Sequence, residues 1–232
     1  MTILTGGLAR PAQHQVDDEV LAHYAAGTLP EALSLVVAAQ ASLCPGVRER
    51  LRELEAIGGG LLELTAGCDM ALGSLEATMR LIAEREDAAL SGRTTPEPTH
   101  LPRRASDVLP APVQDYVGGG LDDVRWRPLG MGAKQAILHE TKDASVRLLK
   151  IPAGCELPDH GHAGLEMTLV LHGAFRDGET RYERGDMDIA DQQTAHMPIV
   201  DADEDCVCLV ACEGRLKFSG LLPRIAQPVL RI

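Results

Sequence analysis

Residues 91–114, SGRTTPEPTHLPRRASDVLPAPVQ, hold five prolines and almost no apolar periodicity. Such a stretch reads as a semi-extended linker. The apolar residues on its two sides follow different rhythms, which excludes one uniform architecture. The expectation is a helical part over 1–90, the linker over 91–114 and a β part over 115–232, together an α+β chain of two domains.

Four helices are expected before the linker. Val20, Leu21, Tyr24 and Ala25 lie one turn apart, and Gly27 follows as a terminating glycine. Thr28-Leu29-Pro30-Glu31 has the pattern of a capping box opening a second helix, which carries Leu33, Val36, Val37 and Leu43. Cys44-Pro45-Gly46 is expected to break it. Val47, Leu51, Leu54, Ile57 and Leu61 mark a third helix by their three- and four-residue spacing, weakened by Gly58-Gly59-Gly60. Ser74 is positioned to cap a fourth, with Leu75, Met79, Ile82 and Ala83 on one face.

From Tyr116 the apolar runs shorten to Gln135–His139, Ser145–Ile151, Met167–Leu171, Met187–Ala190 and Cys206–Ala211, separated by turn residues. Runs about 8–15 residues apart predict an all-β sandwich or barrel. With only six aromatic residues in 232, the core must be built from Leu, Val, Ile, Ala and Met.

Charge narrows the partners. Acids exceed bases by 13 to 7 in residues 1–95 and by 21 to 15 in the remainder, and no basic stripe occurs. Direct binding to nucleic acid or to an anionic membrane is therefore disfavoured. No apolar run reaches the roughly 18 residues of a membrane span. The first seven residues, MTILTGG, do not have the pattern of a secretory leader. Cys44, Cys68, Cys155, Cys206, Cys208 and Cys212 are unevenly spaced, as in a cytoplasmic protein with reduced thiols.

The densest chemistry is Gly154-x5-His160-Gly161-His162-x3-Glu166-x6-Gly173, followed thirty residues after Glu166 by His196. Residues i and i+2 of a strand share a face, so His160 and His162 can present two imidazoles together, and Glu166 keeps their parity if the strand continues. Imidazoles with one carboxylate suit Zn²⁺, Fe²⁺, Mn²⁺ or Ni²⁺. His172, just before Gly173, reads as a surface residue. Cys206 and Cys208 share a strand face with Cα atoms about 6.5–7 Å apart, at the edge of disulfide reach unless the strand buckles, and are read as small buried hydrophobes. Cys155, five residues before His160, is the stronger candidate for an oxidation-sensitive thiol.

These residues resemble known families. The glycine, histidine and glutamate pattern is similar to the first cupin motif, and Gly185-Asp186 with His196 to the second, although no proline precedes a second glycine ahead of His196. That resemblance implies a jelly-roll barrel with one divalent metal on His160, His162, Glu166 and His196, zinc first, with iron, manganese or nickel as alternatives. Further stretches resemble the ChrR-type anti-sigma factors: Tyr24-Ala25-Ala26-Gly27-Thr28-Leu29, Arg125-Trp126-Arg127-Pro128-Leu129, Leu169-Val170-Leu171-His172-Gly173-Ala174-Phe175, Cys206-Val207-Cys208-Leu209 and Leu222-Pro223-Arg224-Ile225. The resemblance runs from about residue 14 to 232.

It implies a cytoplasmic negative regulator that sequesters an extracytoplasmic-function sigma factor and releases it under oxidative, notably singlet-oxygen, stress. A homodimer through the cupin is compatible with it. The family's N-terminal zinc motif, a histidine before the first helix and His-x3-Cys-x2-Cys at the end of the second, falls in ungapped register on Gln15, Gln40, Cys44 and Val47. Only Cys44 remains a ligand type, with His14 and His23 nearby, so an N-terminal domain without zinc is expected. Two other readings use the same cupin residues: an Fe²⁺ dioxygenase of a small organic substrate, and a diverged sensor that binds no sigma factor.

Overall fold

The structure is a computed structural model that describes residues 12–90, 108–157, 160–161, 164–191, 197–214 and 217–218, without the side chains of 87–90, 160–161 and 217–218. Its first helices are α1 (Asp18–Ala25), α2 (Glu31–Leu43), α3 (Pro45–Glu63) and α4 (Ser74–Leu90). Asp17 caps α1 by accepting from the Val20 N–H at 2.8 Å. Gly27, at φ +67°, ends its turn, and the Gly27 and Thr28 amides close onto the Tyr24 and His23 carbonyls.

The capping box does not form. Pro30 is the N-cap of α2 and no side chain caps it. The Thr28 hydroxyl is instead engaged by the His23 carbonyl and ring. The break between α2 and α3 is Cys44 alone, because Pro45 stands at the start of α3, where a missing N–H is harmless.

α2 is apolar on nearly every side, with eight of its thirteen residues buried. It is enclosed by α1 and α3 on one side and by the β-sheet on the other. Val16, Leu21, Leu33, Val36, Val37 and Val47 thus belong to one core with Val146, Leu148, Met167, Leu169 and Leu209 of the β part.

The described residues hold five helices rather than four. The fifth, α5 (Ala111–Val117), begins inside the proline-rich stretch, and Leu109 and Val113 beside and within it are buried. Pro110 is its N-cap and Pro112 lies in its first turn, positions that favour proline. It packs on α2, and the Tyr116 hydroxyl donates to Glu31 at 2.6 Å.

The β part comprises β1 (Arg127–Gly130), β2 (Ala133–Glu140), β3 (Ala144–Ile151), β4 (His160–Gly161), β5 (Glu166–His172), β6 (Ala174–Asp177), β7 (Thr180–Glu183), β8 (Met187–Ala190), β9 (Ile199–Val200), β10 (Cys206–Glu213) and β11 (Lys217–Phe218). All pairings are antiparallel. One sheet runs β1-β2-β3-β10-β5-β8, a second β7-β6-β9, and β4 pairs with β11. The expected barrel is not closed among the described residues; the two larger sheets face each other as a cupin-like sandwich. Strand alternation divides the cores: on β10, Val207, Leu209 and Ala211 face the helices, whereas Cys206, Cys208, Val210 and Cys212 face inward toward Phe175 and Val200 of the smaller sheet.

Candidate functional site

Three regions carry chemistry, the first inside the sandwich. Glu166 opens β5, is 5% exposed, and lies opposite Cys212 in register. The Cys212 thiol donates to its carboxylate at 2.9 Å, and the Thr168 hydroxyl lies at 3.5 Å. Burial, then the adjacent Glu166 charge, pushes the Cys212 thiol well above its ordinary value. On the same inner face, buried Arg147 donates to Gln135 at 3.1 Å and to Ser145 at 2.8 Å. The interior therefore sets a group of buried, mutually hydrogen-bonded polar side chains among apolar ones.

Of the four expected ligands, Glu166 is placed on this inner face. His160 lies on β4 opposite Phe218, with its side chain outside the described residues, as are His162 and His196. β4 ends at Gly161 and β5 begins at Glu166, so the continuous strand that would have carried parity from His160 to Glu166 is absent. His172 is half-exposed at the end of β5 and pairs with Glu204 at 3.1 Å. Cys206 and Cys208 are buried free thiols with sulfurs 3.4 Å apart. A register irregularity between Val207 and Cys208 against β5 supplies the buckle. Cys155 is half-buried against the inner cluster.

The second region is where the resemblance calls for zinc. Gln15, Gln40, Cys44 and Val47 do converge: the Gln15 amide lies over Gly46, Gln40 and Cys44 are one turn apart, and Val47 is fully buried. The donor set does not fit zinc. Both amide atoms of Gln40 are engaged with backbone: Oε1 accepts from the Val16 N–H at 3.0 Å, while Nε2 donates to the His14 carbonyl at 3.1 Å and the Gly185 carbonyl at 2.9 Å. The Cys44 thiol donates to the Gly185 carbonyl at 3.5 Å. Burial, reinforced by the Asp186 charge, pushes that thiol up to about 11, and zinc ligation requires the thiolate. The nearby histidines are turned elsewhere, with the His14 ring 4.8 Å from that of Tyr182 and His23 on Thr28.

The third region is a surface formed by the apolar faces that sequence periodicity marks on the third and fourth helices. Beyond Leu54, α3 leaves Ile57 and Leu61 62% and 63% exposed, although Gly58–Gly60 stay helical. α4 exposes Leu75, Met79 and Ile82 along one face, and none of its described side chains is buried. Ile57, Leu61, Leu75, Met79 and Ile82 are thus apolar side chains that the described residues leave uncovered. The available signal was Leu61, Leu62, Leu64, Met70, Leu72 and Leu75, apolar residues that fall between and beyond the periodic faces of the two helices.

Comparison with known proteins adds the following. Residues 116–215 match the family described as the ChrR cupin-like domain. The chain is similar to the anti-sigma-E factor ChrR of Cereibacter sphaeroides, with 48% identity over 220 residues that cover 95% of this chain and 99% of the relative. It is similar in structure to the anti-sigma ChrR crystallised in complex with SigE of Rhodobacter sphaeroides, at a TM-score of 0.72 and 46% identity, covering 87% of this chain and 99% of that one.

Proposed function

The chain belongs to the ChrR family of anti-sigma factors, and on that footing we propose that it sequesters an extracytoplasmic-function sigma factor in the cytoplasm and so represses transcription without touching DNA. The observation that carries this reading is the uncovered apolar face of α3 and α4. It stands out beside α1 and α2, whose larger apolar residues are buried or half-buried, in a chain whose crystallised relative was solved with a sigma factor. A free helix such as α4 is marginal in water without a tertiary partner. A sigma factor laid across α3 and α4 supplies one, and the acidic excess of residues 1–95 complements basic, DNA-facing sigma surfaces.

The sandwich serves as the sensing part. His160, His162, Glu166 and His196 would hold one divalent metal, with zinc the first expectation. The buried Glu166 carboxylate, facing the interior beside the Cys212 thiol and the Thr168 hydroxyl, supports that assignment, since a carboxylate is a ligand type for such metals. A bound zinc would supply redox-inert Lewis acidity and tie the ligand strands together. Glu166 anchors the site to β5, and Cys212, protonated beside it, fixes the carboxylate's orientation. Oxidative stress acting on this interior is the proposed route to release. The similarity to an anti-sigma factor over nearly the whole chain favours regulation over catalysis for this interior.

The experiment is a run-off transcription assay with RNA polymerase and the sigma factor encoded beside this chain. Equimolar protein is expected to abolish the sigma-dependent transcript and to co-elute with the sigma factor one to one. A full transcript with no complex would overturn the reading.

A further inference from the structure

Gln40 sits at a junction of three segments far apart in sequence. It belongs to α2, yet its side chain reaches the arm before α1 at Val16 and His14, and the β7–β8 turn at Gly185. It is 0% exposed. The arm is tied to the same turn from its own side: the Gln13 and His14 amides donate to one carboxylate oxygen of Asp186 at 2.6 and 2.9 Å, and the Met187 amide donates to the His14 carbonyl at 2.9 Å. Asp186 in turn accepts from the Glu183 amide with its other oxygen at 3.0 Å, which fixes the turn. Cys44 closes the far side, its thiol on the Gly185 carbonyl. Gly185 has φ +92°, and a Cβ there would lie 3.3 Å from the Cys44 sulfur. The turn therefore needs glycine both for its backbone and for room against the thiol.

We propose that this set of hydrogen bonds is a metal-free clasp, in which the Gln40 carboxamide replaces the structural zinc implied by the family resemblance and fastens the helical part to the sandwich. Zinc joins segments by accepting electron pairs from several of them at once. A primary amide can join three segments too, because it has two N–H donors and an accepting oxygen. It differs in that its partners are backbone groups, which survive loss of ligand side chains such as those at Gln15 and Val47. The clasp ends on the turn that opens β8, and β8 pairs with β5 in the register Glu166 opposite Ala190. The helical part and the Glu166 strand are thus joined through one short strand.

The test is amide hydrogen exchange on the full chain, read at Val16 and Met187, with the β3–β10 ladder as internal reference. Gln40→Ala removes three hydrogen bonds, and exchange at both amides is expected to quicken by about 10- to 100-fold while the ladder is unchanged. If Gln40→Ala does not fold, Gln40→Met keeps the volume and deletes the same bonds. Exhaustive chelation is expected to leave Val16 exchange unchanged, in the natural chain and in a Glu166→Gln chain whose cupin metal is already disabled. Unchanged exchange at Val16 and Met187 in the folded variants would overturn the clasp. So would chelation that speeds Val16 as much as the substitution does, because a metal would then be holding this junction.

Discussion

Met79 lies midway along the apolar face of α4, 56% exposed and with no core beneath it. Full burial of a side chain of this size is worth about 1.5–3 kcal/mol, so covering its exposed part with a partner contributes about 1–1.5 kcal/mol. Met79→Ala should therefore weaken sigma binding by about 5- to 10-fold. Met79→Asp adds a carboxylate that must be desolvated inside an apolar interface, for a total of about 3 kcal/mol or more and at least a 100-fold loss. The same substitutions should change fold stability by less than about 0.5 kcal/mol, since this side chain is not among those packed into either core of the described residues. Titration calorimetry with the sigma factor, beside urea unfolding of each variant, reads both quantities. Undiminished affinity in Met79→Asp would refute the assignment of this face, as would a loss of stability as large as the loss of binding.

Glu166→Gln, or His160→Ala with His162→Ala, should reduce bound metal from one to below about 0.1 per chain by elemental analysis, while sigma binding through α3 and α4 persists; retention of full metal would remove these residues from the site. Gly185→Ala should lower unfolding free energy by about 1–3 kcal/mol, combining a left-handed backbone with contact on Cys44, and a denaturation midpoint equal to the natural chain's would contradict that geometry. The Cys44 thiol keeps its proton in the folded chain up to about pH 11, whereas an unfolded cysteine releases it near 9.0. Its contribution is thus complete below pH 9 and is lost as pH rises toward 11, by at most about 2.7 kcal/mol. Stability measured from pH 8 to 10.5 should fall more steeply for the natural chain than for Cys44→Ala, and parallel curves would show that the thiol is not buried as described.

Elements whose pattern depends on near neighbours were legible before the structure. Of the α1 and α2 apolar residues, Val20, Leu21, Leu33, Val36 and Val37 are buried where their spacing put them, with Tyr24, Ala25 and Leu43 half-buried, and the five apolar runs from Gln135 to Ala211 became β2, β3, β5, β8 and β10. Short strands such as β7 and β9 have too few alternating residues to register. α5 was read as linker because Pro110 and Pro112 disrupt most structure, yet at a helix start they support it. β10 is buried on both faces, so its alternation carries no polarity signal, and only packing tells which cysteines face Glu166. The Gln40 junction was hidden for a different reason: its partner at Gly185 is 145 residues away, and its contacts are to backbone, which leaves no mark on the partner's side chain. The α3 and α4 faces show the converse, since periodicity reveals an amphipathic helix without saying whether this chain or another covers it.

Hydrogen exchange of the full chain, alone and with its extracytoplasmic-function sigma factor, tests the central claim most directly. The account predicts that binding slows exchange over residues 54–63 and 74–86, with little change in the β1–β3 edge of the large sheet. Protection confined to the sandwich, or no complex with a chain shown to be folded, would contradict it.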